Sequence, residues 1–172
     1  KCCPSEELES ESIEFKCYSN VRALHNSKDL AQEISAIANA NGGIIIIGVK
    51  DSSDVPSGIW TAQMQGIPPI DELETQERIQ GKLQPRIPIT VANILFESIN
   101  YVVVRIPHRS DTLVSTSSGK TCIREGRSSR PMAPSEIETA VKSLTSYDWS
   151  AEPVEVDPIK SLDSTALTCP RC

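Results

Sequence analysis

Apolar residues change their spacing several times along the chain, and each change marks an element. Between 28 and 40, Leu30, Ile34 and Ile37, flanked by Ala31 and Ala38, recur at helical intervals and predict an amphipathic helix. Asn26 or Ser27 supplies an N-terminal cap, and Asn41-Gly42-Gly43 a left-handed stop. Ile44 to Ile47 is an unbroken β-branched run, which predicts a central strand over 43–49 covered on both faces. Upstream, Ile13, Phe15 and Cys17 alternate with Glu14 and Lys16. That pattern predicts a short half-buried strand with a carboxylate and an ammonium on its open face.

The remaining elements follow from the same reading. Residues 51–69 are rich in Gly, Pro, Ser and Asp and form a long loop, with a short strand at 58–60. Over 71–83 acids come early and bases late, as a helix dipole favours, with Leu73, Ile79 and Leu83 on an apolar stripe. Strands are expected at 91–96 and 101–106, joined by a tight turn, and again at 120–124. A last helix begins near Pro134 and buries Ile137, Val141 and Leu144. This order predicts an α/β (α+β mixed) fold, a mixed sheet flanked by about three helices. One domain over 8–145 is expected between an acidic N-terminal tail, 1–7, and a linker or tail, 146–172, that ends in CxxC.

Composition changes this picture in three places. Aromatics make up only 4% of the 172 residues, so the core must be built from Ile, Val, Leu and Ala. The net charge of −6 taken alone argues against a polyanionic partner, but the acids are concentrated at the ends. Residues 1–14 hold five Glu and one Lys, whereas 105–130 hold six Arg and Lys against Asp111 and Glu125. No apolar run is long enough to cross a bilayer, and a first residue of Lys points to a piece of a longer protein. Six Cys, clustered at the ends without framework spacing, point to reduced thiols in the cytoplasm.

Candidate chemistry is of two kinds. Glu9, Glu14 and Asp51 meet if the strand of 13–18 lies beside that of 43–49, and clustered carboxylates bind Mg²⁺ or Mn²⁺. The plainer alternative makes Glu9 a tail acid and Asp51 a turn residue. Arg124, Arg127 and Arg130 bracket a Gly bend and suit phosphate oxygens, or else form a solvated basic loop. Ser118-Gly-Lys-Thr121 is similar to the end of a phosphate-binding loop, but Val114 stands where the leading Gly belongs and a strand follows. Gly42-Gly43 precedes its strand and so is no dinucleotide fingerprint. Cys169-Pro-Arg-Cys172 is half a zinc knuckle, with only Cys2 and Cys3 as further candidates. His25 and His108 are isolated, without a nucleophile to pair, and His108 beside Arg109 fits a polyanion-contacting loop.

Five blocks in order carry a more specific signal: Glu9-Ser-Glu-Ser-Ile-Glu-Phe-Lys16, Ile34-Ser-Ala-Ile-Ala-Asn-Ala-Asn-Gly-Gly43, Ile47-Gly-Val-Lys-Asp51, Val104-Arg-Ile-Pro107 and Ile123-Arg-Glu-Gly-Arg127. Over residues 8–145 the chain resembles the Schlafen AlbA_2 domain. The resemblance implies a mixed sheet flanked by helices and a nucleic-acid-binding domain, for DNA or RNA, serving as the N-terminal module of a larger regulator. Phosphate contacts would then come from Lys16, Lys50, Arg105, Arg109, Arg124, Arg127 and Arg130. It implies as the alternative an endoribonuclease dependent on Mg²⁺ or Mn²⁺, with Glu9, Glu14 and Asp51 as catalytic residues and metal ligands. Lys50 stands where the family carries the first Asp of an Asp pair. Two-lobed relatives imply a homodimer for a single lobe.

Overall fold

Packing of one helix across a four-stranded sheet organises the chain, as seen in a computed structural model that describes residues 4–56, 60–109 and 111–145. Strands β1 (Ile13–Lys16), β2 (Gly43–Ile47), β4 (Thr90–Phe96) and β5 (Ile99–Ile106) form a sheet of order β1-β2-β5-β4. β1 runs parallel to β2, with Glu14 opposite Ile45, and the other pairings are antiparallel. Helices are α1 (Val21–Asn26), α2 (Asp29–Asn39), α3 (Glu72–Gln80) and α4 (Pro134–Thr145). β3 (Leu83–Gln84) pairs with β6 (Ser115–Thr116), and β7 (Cys122–Glu125) forms a hairpin with β8 (Ser128–Pro131). The architecture is the mixed α+β fold that the sequence predicts. Among the described residues, no helix is long and apolar enough to cross a membrane.

The core takes one side of each principal element. Leu30, Ile34 and Ile37 of α2 pack with Ile45 and Ile47 of β2 and Val102 and Val104 of β5, all at most 2% exposed. Ser27 Oγ accepts from Leu30 N at 3.0 Å and so caps the first turn of α2. At its other end Gly42 sits at φ +71° and donates to Ile37 O. Ser35 and Asn39 tie α2 to the strands beyond it. Ser35 Oγ donates to Val114 O and accepts from Cys122 N, while Asn39 Nδ2 donates to Val114 O and Cys122 O and Asn39 Oδ1 accepts from Val114 N. An Asn in this motif is therefore a neutral clamp between helix and hairpin.

Several local expectations are corrected. β2 is central, but only Ile45 and Ile47 are buried; Ile44 and Ile46 on the other face are half-exposed. Leu73 is 66% exposed, because α3 turns Thr75 and Ile79 inward instead. Val141 is exposed, and Ile137 and Leu144 are only half-buried, so α4 lies on the surface. The segment 107–118, for which no element was expected, contributes β6, and the hairpin partner β8 was not anticipated at all. The expected strand at 58–60 falls largely, and the tail of 146–172 wholly, outside the described residues. Cys17 and Cys122 are free thiols.

Candidate functional site

The charges of β1 do not face solvent as alternation predicts. β1 pairs with β2 so that Glu14 lies at the level of inward-pointing Ile45, and Glu14 is only 6% exposed while Phe15 takes the outer face. What makes this tolerable is Arg124 of β7, whose side chain is fully enclosed. Arg124 Nε donates to Ser10 O at 2.9 Å, one terminal nitrogen to Glu33 and Ser129 Oγ at 3.3 Å, and the other to Glu14 at 2.7 Å and Ile13 O at 3.2 Å. All five guanidinium donors are thus used. Lys16 Nζ meets Glu14 at 3.0 Å, Asp29 at 3.4 Å and Glu33 at 3.5 Å. Burial alone would lower the Lys16 pKa, but the surrounding Glu33, Glu14 and Asp29 raise it well above the ordinary lysine range. Ser129 Oγ closes the network with a 2.5 Å bond to Glu33.

This geometry reassigns most of the residues expected to act on phosphates or metal. Arg124 is buried and saturated, so it holds the fold together and does not reach a ligand. Lys16 is neutralised in the same network. Arg109 is paired with Asp111 through two bonds of 2.9 and 2.8 Å. Arg130 spends its donors on Glu125, Glu136 and Pro131 O, although it is exposed enough to be seen by solvent. The two carboxylates raise its pKa, and Arg130 together with the Ala133 N–H holds Glu136 down at about 2. Glu9, Glu14 and Asp51 are not brought together: among the described residues no three His, Cys, Asp or Glu side chains form a metal-binding group. Asp51 is exposed and follows by six residues the Ile45 that faces Glu14. Lys50 lies beside it, half-buried, with its carbonyl accepting from Gln63 and Ser5. Arg127 is exposed at the β7–β8 turn.

One expected residue behaves differently. Arg105 is exposed on β5, between Ile44 and Thr90 on the flanking strands, and makes no ion pair with the described residues. It lines a cleft of about 520 Å³ with His108, Thr90, Ser12, Asn41 and the Gly42-Gly43 backbone, and no carboxylate lines it. Asn41 does donate to Glu11 at 3.3 Å, at the edge of this cleft. The glycine pair is what lets its walls meet. A Cβ at 42 would stand 2.5 Å from His108 N, and one at 43 would stand 2.2 Å from Ser12 O. Sequence reading found Arg105 and His108 but missed Ser12 and Thr90, which join them only through strand register. It also missed Glu33, although Asp29 and Glu33, four residues apart on one helix, share a face that had to meet something.

The sequence of the chain matches one family of domains. The sequence profile of the Schlafen AlbA_2 family matches residues 9–133, and the chain belongs to that family. Among solved structures it is similar to the DIP2311 protein from Corynebacterium diphtheriae, with 18% identity and a TM-score of 0.59 over 80% of this chain. The match spans only 28% of the length of that protein. A further likeness, to the N-terminal domain of a RecG-related protein from Nitrosomonas europaea, has 17% identity, a TM-score of 0.47, and covers 73% of this chain and 84% of that one. No curated protein matches the chain.

Proposed function

We propose that the domain binds nucleic acid, using the Arg105 cleft as its principal phosphate contact. The observation that carries this reading is Arg105, which makes no ion pair with the described residues, in a cleft whose polar lining is hydroxyls, an amide, an imidazole and backbone groups. Such a lining recognises phosphate oxygens regardless of base sequence, which gives backbone binding before any sequence readout. Lys50 and Arg127, at separate surface positions, would add further contacts. Membership of the AlbA_2 family agrees with this reading.

Fluorescence anisotropy with duplex DNA and with structured RNA, across a salt series and with or without Mn²⁺, tests it. Affinity should fall steeply as salt rises, and Arg105→Ala should reduce the salt slope by about one while leaving the fold intact. Salt-insensitive binding, or none, contradicts the proposal. The same samples run on a gel report the alternative: strand cutting that needs Mn²⁺ and disappears in Asp51→Asn would make the domain a nuclease.

A further inference from the structure

A second cleft, of about 440 Å³, opens at the opposite end of α2 and collects three lysines from distant parts of the chain. Lys28 directly precedes α2, Lys82 follows α3, and Lys120 follows the Ser117-Ser118-Gly119 turn out of β6. Among the described residues, no Asp or Glu lines it. Lys82 Nζ is fixed by the carbonyls of His25 and of Ser27, the latter at 2.9 Å, so two of its three donors are used and one remains. Lys28 and Lys120 are exposed and form no ion pair with the described residues. The turn carrying Lys120 is itself held in shape. Gly119 N and Lys120 N donate to Thr116 O and Thr116 Oγ1, and Ser117 N donates to Lys82 O. Lys82 and His25 both have lowered pKa values, from burial first and from neighbouring Arg78 next, with Glu74 opposing the shift at His25.

Three lysines lining one cleft, with no Asp or Glu among its described lining residues, offer an incoming anion several positive charges at once. The buried cluster around Glu14 shows that this fold supplies internal acids where a cation is meant to be neutral. Here it supplies none, and adds the hydroxyls of Ser117 and Ser118. A phosphodiester brings one negative charge, whereas a terminal phosphate brings roughly −1.5 to −2 at neutral pH and three acceptor oxygens. The second matches three lysines better.

We propose that this cleft binds a phosphomonoester, supplied either by the 5′-phosphorylated end of a nucleic-acid strand or by a free nucleotide. The first source rests on the nucleic-acid reading above; the second does not. An 11-residue α2 separates the two clefts by about 16 Å, so a strand end held here lies several nucleotides from a phosphate held at Arg105.

The test compares one short single-stranded oligonucleotide with a 5′-phosphate and with a 5′-hydroxyl, alongside adenosine 5′-monophosphate followed by calorimetry. The variants are Lys28→Ala/Lys120→Ala, whose side chains the fold does not use, and Arg105→Ala; Lys82 is left in place because it clamps α1. A 5′-phosphate should tighten binding about tenfold, the gain should vanish in the double lysine variant, and it should survive in Arg105→Ala. Mononucleotide binding that the lysine variant abolishes assigns the free-nucleotide source, and it stands even if no oligonucleotide binds, in which case only the nucleic-acid reading fails. Equal affinity for both ends together with no mononucleotide binding, or binding undiminished in the lysine variant, overturns the proposal.

Discussion

The cations beneath α2 and those at its two ends are the same residue types put to opposite use. Under the helix, Arg124 and Lys16 are enclosed by Glu14, Glu33 and Asp29, and every guanidinium donor of Arg124 has a partner in the chain. At the ends, Arg105 on one side and Lys28, Lys82 and Lys120 on the other line clefts with no Asp or Glu among their described lining residues. The difference teaches that a basic residue in this fold is a strut where its counter-charge is built in and a contact where it is not. Counting arginines in the 124–130 segment cannot distinguish the two.

The comparison breaks most directly at Arg124. Arg124→Ala should destabilise the domain by about 3–5 kcal/mol, because it removes five hydrogen bonds and leaves the Glu14 and Glu33 carboxylates of a buried network with Lys16 as their remaining cation. A denaturant melt that moved by less than about 1 kcal/mol would show the cluster to be surface-like after all. A neutral clamp on the same seam should cost less. Asn39→Ala removes the bonds to Val114 and Cys122 and should cost about 1–3 kcal/mol, measured in the same melts.

The exposed pair Arg130–Glu136 should matter least, and its contribution should disappear at low pH. Glu136 is held at about 2 against an ordinary 4.5, so the folded state binds its proton less readily than the unfolded chain does. Its stabilising effect is therefore complete above pH 4.5 and lost as pH falls towards 2. Glu136→Gln should remove that small contribution at neutral pH, leave stability near pH 2 unchanged, and so flatten the profile between the two. A neutral-pH loss as large as that of Arg124→Ala would erase the distinction between buried and exposed pairs.

How far the sequence foretold this depends on range. α2 and β2 were legible because their signals are local: a helical apolar stripe, a Ser cap and a Gly stop, then a β-branched run. From sequence, β1 beside β2 is only a condition for the acidic cluster, and the parallel direction of the pairing was not foretold. The face of β1 did not, because its charges are neutralised by Arg124, on a hairpin near the other end of the domain, and alternation read alone sends charges outward. β6 and β8 are short, polar strands held by pairing with β3 and β7, while Asn39 and Ser35 anchor the adjoining Val114 and Cys122, and none of this leaves a periodic trace. The Glu9, Glu14 and Asp51 set required only that two strands lie side by side, which they do, yet Glu14 turned inward and Asp51 did not follow it. The lysine cleft was invisible for a simpler reason. Lys28, Lys82 and Lys120 sit in three unrelated segments, and only the phosphate-loop likeness around Lys120 touched it.

The central claim is that an unpaired cation, not mere exposure or charge, marks the binding surface. It is tested most directly by measuring the affinity of Arg105→Ala and Arg130→Ala for one duplex under identical low-salt conditions. Both arginines reach solvent, but only Arg130 is paired with carboxylates. Arg105→Ala should weaken binding by about tenfold and Arg130→Ala should leave it unchanged. Loss of affinity in Arg130→Ala with Arg105→Ala binding like the wild type would contradict the account.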